Sequence, residues 1–172
     1  MRRTLAFLSA LGVAGATAPA YSQELVPLRP TADFFVSSLH KKKSYGAVKE
    51  VVAGRRRTYT AYLRFSLGAP LAPGHRAILR VYPIVGNTTG FIVRKASGGI
   101  WSERRATFAT APKLGTGGVS SGPLVKGQFK DLDVTRLVSG ATASFGLVTT
   151  SQSPVVLGSR EAATATPQLF VQ

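Results

Sequence analysis

The sequence predicts an all-β fold, a jelly-roll-like β-sandwich, in a single domain behind an export signal. Three observations carry that reading. Eighteen Gly and ten Pro punctuate short apolar stretches, which is turn punctuation at close intervals. No segment shows a convincing 3.6-residue hydrophobic repeat. Two stretches instead alternate cleanly with period two, the signature of strands.

The elements follow in chain order. Arg2 and Arg3 give a positive start, Leu5 to Ala16 run apolar and small, and Ala18-Pro19-Ala20 fits small-x-small cleavage. Residues 1–22 are therefore expected to be a secretory signal peptide, leaving 23–172 as the folded part. The apolar run is short for a bilayer span and has no charged stop behind it. Removing it takes away two Arg and no acid.

Short strands are expected at Ala32–Ser37 and Val48–Ala53. The clearest runs from Thr58 to Leu67. Tyr59, Ala61, Leu63, Phe65 and Leu67 share one face, and Thr58, Thr60, Tyr62, Arg64 and Ser66 the other. Such alternation implies one packed face and one that meets water or a ligand. Arg76–Val85 repeats it, with Ala77, Leu79 and Val81 opposite Ile78, Arg80 and Tyr82. Pro70, Pro73 and Gly74 supply the connection between the two. Further strands are read at Gly90–Arg94, Phe129–Val134, Ala143–Thr149, Val155–Ser159 and Gln168–Val171. Asp133 and Thr135 ahead of Leu137 and Val138 predict a single helical turn. The five-glycine stretch from Lys113 to Gly127 is expected to be a mobile surface loop. Many short strands with turns between them make a sandwich.

Charge narrows the function. Lys and Arg total 22 against 7 Asp and Glu, a net charge of +15, and the pI is about 11.2. An exported domain this basic is expected to meet a polyanion: acidic polysaccharide, an anionic lipid surface or released nucleic acid. No groove-reading helix is predicted and export argues against a genomic target, so nucleic acid is not the expected partner. No later segment resembles a membrane span. The absence of cysteine excludes disulfides, thiolate catalysis and cysteine-ligated zinc.

Several segments together resemble one family. They are Ala32-Asp33-Phe34-Phe35-Val36, Tyr45-Gly46, Tyr62-Leu63-Arg64-Phe65, Ile78-Leu79-Arg80-Val81-Tyr82 and Trp101-Ser102-Glu103. Thr107-Phe108, Ala111-Pro112, Asp133-Val134-Thr135, Ser159-Arg160-Glu161-Ala162-Ala163 and Pro167-Gln168-Leu169 complete the set. In this order they resemble the DNRLRE domain, also classed as carbohydrate-binding module family 96. The resemblance implies a secreted β-sandwich that binds polysaccharide, with alginate as the associated ligand and a separate polysaccharide-degrading enzyme as a potential companion. Phe108 stands where the family usually shows a second Trp, and Ser66 where an Asp often follows the Phe.

Three basic groups compete for such a ligand: Lys41, Lys42 and Lys43 with Lys49; Arg55, Arg56 and Arg57; and Arg64 and Arg80 with Tyr62 and Tyr82. Arg matches a uronate carboxylate with a bidentate fork, and Lys supplies a point charge. An aromatic ring offers apolar area to a sugar face. The first two runs lie outside the motif positions and are the preferred ligand contacts; their alternative is a solvated face. Arg64, Arg80, Arg160 and Glu103 sit in motif positions and have an equally good structural reading, such as an Arg–Glu pair pinning the loop near Trp101. Tyr62 and Tyr82 would then simply cover a neighbouring strand. The family context makes the sole tryptophan, Trp101, a packed anchor under a loop.

No catalytic site is assigned. His40 and His75 sit singly beside basic residues, and no Gly-x-Ser-x-Gly elbow occurs. A lyase pairing of Arg64 with Tyr62 is conceivable, but adjacent strand positions look the same. No metal or other cofactor is assigned either. The one candidate is a structural Ca²⁺ held by Asp33, Asp131, Asp133, Glu161 and carbonyl oxygens. The expected function is thus a secreted, extracellular, non-catalytic module that binds acidic, uronate-rich polysaccharide. The alternatives are an envelope protein gripping anionic polymers without specificity, or a small polysaccharide lyase.

Overall fold

Among the residues that the computed structural model describes, 26–54, 58–97 and 101–172, the chain forms ten strands and one 3-10 turn. The expected signal peptide and the run Arg55, Arg56 and Arg57 lie outside the described residues. The strands are β1 (Ala32–Ser37), β2 (Glu50–Ala53), β3 (Tyr59–Ser66), β4 (Ala77–Val81) and β5 (Ile92–Lys95). Then follow β6 (Val119–Ser120), β7 (Lys130–Asp133), β8 (Thr142–Val148), β9 (Val155–Gly158) and β10 (Gln168–Val171). All nine strands expected from the sequence are present, and the helical turn is the 3-10 turn Thr135–Leu137. Asp133 shapes that turn by accepting from the Thr135 N–H at 3.0 Å and its hydroxyl at 2.6 Å, an Asx arrangement.

Two antiparallel layers result. One is a five-stranded sheet in the order β1-β3-β8-β5-β6. The other joins β10-β4-β7 to the β2-β9 pair. The join is main-chain: Pro83 bridges Leu157, Gly158 N–H donates to the Tyr82 carbonyl at 3.0 Å, and Ile84 N–H to Val156 at 2.9 Å. The chain is a β-sandwich.

Period two decides what lies between the layers. Ala61, Leu63 and Phe65 of β3, with Phe145 and Leu147 of β8, face Ala77, Leu79 and Val81 of β4, Leu132, Leu157 and Leu169 across one continuous core. Register aligns these rows, pairing Leu63 with Phe145 and Leu79 with both Leu132 and Leu169. Each fully buried Leu or Phe contributes about 1.5–3 kcal/mol.

The outer face of the five-stranded sheet departs from the expectation that β3 shows it to water or a ligand. The segment following Trp101 lies across it and closes a second cluster of Phe34, Val36, Tyr62, Ala96 and Ala106, with Trp101, Ala111 and Leu114 against it. Leu114 seats over Gly146, where any Cβ would collide with its side chain. β1 is therefore buried along its whole length, which is why its sequence reads as a run and not an alternation.

The Lys113–Gly127 stretch is also not the free surface loop expected. Leu114 bridges Ala96, β6 extends the sheet beside β5, and Leu124 bridges Asn87. The buried Ser121 hydroxyl accepts from the Phe91 N–H at 2.9 Å. Main-chain pairing holds this segment, so side-chain alternation gave no sign of it. No helix among the described residues is long and apolar enough to cross a membrane.

Candidate functional site

β1 and β2 lie at the same side of the sandwich, as outermost strands of their layers. The loop between them carries Lys41, Lys42, Lys43 and Lys49, all exposed. It turns tightly, with the Lys43 N–H donating to the His40 carbonyl at 3.0 Å. Tyr45 then pairs with Phe35 as a bridge and stacks on its ring at 4.3 Å. The Lys43 ammonium sits over the Tyr45 ring, 4.9 Å from its centroid, a cation–π contact.

A second loop is locked to the first. The Ser44 hydroxyl donates to the Glu103 carbonyl at 3.0 Å, and a Cβ at Gly46 would overlap that same carbonyl. Arg104 and Arg105, both exposed, follow Glu103 in a turn closed by the Arg105 N–H on the Ser102 carbonyl at 3.1 Å. Arg105 borders an open depression of about 250 Å³ with Trp101, Ser102, Ala106 and Thr110. The lysine run and the arginine pair thus stand on two loops fastened to one another. Lys49 joins them through its carbonyl, which accepts from the Ser159 N–H at 3.1 Å, next to Arg160.

A buried carboxylate organises this edge. Asp33 is 1% exposed. It accepts from the Arg160 N–H at 2.6 Å, and its own N–H donates to Glu103 Oε2 at 3.2 Å. The Arg160 guanidinium lies 3.5 Å from Glu103 and 3.0 Å from Glu161, and donates to the Thr31 carbonyl at 2.7 Å. Burial pushes the Asp33 carboxyl up to about 7; the Arg160 N–H opposes the rise, and the negative charges of Glu161 and Glu103 add to it. The Arg–Glu pinning of the loop near Trp101 is present as Arg160–Glu103.

Oxygen atoms of Asp33, Glu103 and Glu161 lie within 4.8 Å of one another, a donor set of the kind Ca²⁺ takes. The set expected from the sequence is thereby corrected. Asp33 and Glu161 do come together, but Glu103 completes the group. Asp131 and Asp133 are outside it, bound to Arg80 and Arg76. Arg160 already brings positive charge to the three carboxylates.

The third basic group is split by the topology. β3 and β4 belong to opposite layers, so Arg64 and Tyr62 cannot act with Arg80 and Tyr82. Tyr62 is buried and stacks on Phe34 at 4.7 Å. Its hydroxyl donates to the Pro112 carbonyl at 3.0 Å, and burial pushes the phenol up to about 12. A lyase base needs the opposite shift. Arg64 lies over the Trp101 ring at 4.7 Å and donates to the Trp101 carbonyl and the Thr31 hydroxyl, each at 3.2 Å. Both residues hold the covering segment, and Trp101 is a packed anchor set edge-on to Phe34.

Arg80 and Tyr82 remain on the outer face of β4. Arg80 grips Asp131 with two hydrogen bonds of 2.7 Å and lies 4.7 Å from the Phe170 ring centroid and 5.7 Å from that of Phe129. These hydrogen bonds from Arg80 hold the Asp131 carboxyl below the usual carboxylate range. Sequence reasoning missed Phe129 and Phe170 as partners, though their parity with Asp131 and Gln168 marks them as outward. It also missed Arg104 and Arg105, whose signal was their adjacency to Trp101-Ser102-Glu103.

A model of the family described as carbohydrate-binding module family 96 matches residues 24–172. No curated protein matches the chain.

Proposed function

Because the chain belongs to carbohydrate-binding module family 96, we propose that it is a secreted module recognising acidic, uronate-rich polysaccharide of the alginate type through its basic edge. The observation that carries this reading is the Ser44–Glu103 hydrogen bond, which fixes the Lys41–Lys43 turn beside Arg104 and Arg105. A polymer of regularly spaced carboxylates can then touch cations from two loops at once. The arginine forks supply bidentate recognition and the lysines supply attraction and on-rate. The depression beside Arg105 offers room for a sugar ring near the charged pair. Support for secretion comes from the Arg2-Arg3 start and the apolar run behind it. The role is binding, with cleavage of the polymer left to a separate enzyme.

Competition tests recognition against bulk electrostatics. Alginate should displace a labelled uronate oligosaccharide at lower charge concentration than polyphosphate or DNA does. Equal displacement by all three would favour an envelope protein that grips anionic polymers without regard to sugar. A rise in ultraviolet absorbance on incubation with alginate would instead reveal lyase chemistry.

A further inference from the structure

We propose that the outer face of β10-β4-β7 is a second glycan-binding surface, one that takes the flat face of neutral hexose units. The inference rests on the family's carbohydrate-binding role but not on the acidic-polymer reading of the basic edge. Its basis is a local break in the charge pattern. On a chain of net charge +15, this face carries two acids, each matched to an arginine. Arg80 holds Asp131 through Nε and Nη2 at 2.7 Å, and Arg76 holds Asp133 at 2.6 Å. Both acids on this face are taken by arginines, with exposed Arg29 beside Gln168 as a further cation, so a uronate would have to compete with Asp131 for the Arg80 fork and lie beside two carboxylates.

What the face offers instead is ring area. Phe170 on β10, Arg80 and Tyr82 on β4 and its extension, and Phe129 just before β7 form one row across three strands. Arg80 lies between the Phe170 and Phe129 rings, and Tyr82 meets Phe129 edge-on at 5.0 Å. Phe129 remains 47% exposed. Two strand spacings give the row a reach of about 10 Å, enough for two hexose units side by side. An exposed ring presents apolar area to the C–H face of a pyranose. The Arg80–Asp131 pair, with side chains 36% and 44% exposed, sets a fixed donor and acceptor where equatorial hydroxyls would lie. A site of this composition binds by stacking and neutral hydrogen bonding, and salt has little to screen.

The test is affinity gel electrophoresis of the full chain against neutral glycans (glucomannan, hydroxyethylcellulose, laminarin, galactan) at 20 and 500 mM NaCl, alongside Phe129→Ala and a Lys41/Lys42/Lys43→Ala triple variant. At least one neutral glycan should retard the wild type equally at both salt concentrations. Phe129→Ala should lose that retardation at least tenfold with an unchanged melting temperature, and the triple lysine variant should keep it. No retardation by any neutral glycan, retardation that vanishes with salt, or full retention by Phe129→Ala would each overturn the proposal. So would concentration-dependent dimerisation that Phe129→Ala abolishes, because a second copy would then be the occupant. Loss of alginate binding with neutral binding intact would sink only the reading of the basic edge.

Discussion

Arg160 and Asp33 lie 127 residues apart and meet at 2.6 Å, the backbone N–H of one donating to the carboxylate of the other. That contact ties the loop after β9 to the first strand. The Asp33 N–H in turn holds Glu103, so three distant segments converge on one buried residue. The lysine turn and the arginine pair hang from this knot, which makes their spacing a property of the core.

Removing the carboxyl should loosen the Arg160 segment from β1, while the Asp33 N–H that holds Glu103 stays in place. Asp33→Ala is expected to cost about 1–3 kcal/mol, because the Arg160 backbone N–H loses its acceptor. Chemical denaturation measures it. A cost within experimental error of zero would show that the knot is incidental.

The same carboxyl gives a pH signature. Its folded value is about 7 against 3.8 for the free group, so between about pH 4 and 7 the folded chain keeps a proton that the unfolded chain has released. Stability from this group therefore falls as pH rises across that window and levels off above it, by up to ~4 kcal/mol in the limit. Below about pH 4 the trend reverses, because Asp133, held down to about 2 by Thr135 and Arg76, stays ionised in the folded chain while the unfolded chain takes up a proton there. The melting temperature should be higher at pH 5 than at pH 8, and Asp33→Asn should flatten the difference. An equally sloped profile in that variant would assign the effect elsewhere.

Much of this architecture was legible in the chain, and the reason is periodicity. Alternation at Thr58–Leu67 and Arg76–Val85 marks two half-buried strands whatever else they touch. What alternation cannot convey is which sheet a strand joins, so Arg64 and Arg80 look equivalent in sequence and end on opposite sides of the sandwich. Nor does it convey that a later segment covers one face, which is why Tyr62 reads as outward and is buried. β6 left no trace because two residues paired through the main chain have no pattern to show. The Asp33–Glu103–Glu161 group depends on loop closure over long sequence separations, beyond the reach of local spacing.

Gly46 offers a direct probe of loop locking. Gly46→Ala drives a methyl into the Glu103 carbonyl, so the two loops must part. We expect a loss of about 1–3 kcal/mol and weaker binding to alginate, although no charge has changed. Undiminished affinity in a destabilised variant would show that the loops bind independently.

Tyr62 and Arg64 should behave as structural residues. Tyr62→Phe removes one hydrogen bond to Pro112 and should cost about 1 kcal/mol with glycan affinity unchanged. Arg64→Ala uncovers the only tryptophan, so its emission should shift to longer wavelength. A glycan-affinity loss in Tyr62→Phe without any stability change would return Tyr62 to the binding surface.

Arg160 already pairs with Glu103 and Glu161, so chelation should leave the fold undisturbed. The melting temperature should differ by less than about 1 °C between EDTA and millimolar Ca²⁺, well under the shift that saturating a native-state site produces. A rise of several degrees with Ca²⁺, abolished by Glu161→Gln, would make the group a metal site.

Affinity for alginate at 50 and 500 mM NaCl, in the wild type and in Lys41/Lys42/Lys43→Ala, tests the central claim most directly. Contacts with a carboxylated polymer release counterions, so wild-type affinity should fall about tenfold or more across that range. The triple variant should start weaker at low salt and respond to salt less steeply. Affinity that is absent, indifferent to salt, or untouched by the triple substitution would contradict a basic edge built to hold an acidic glycan.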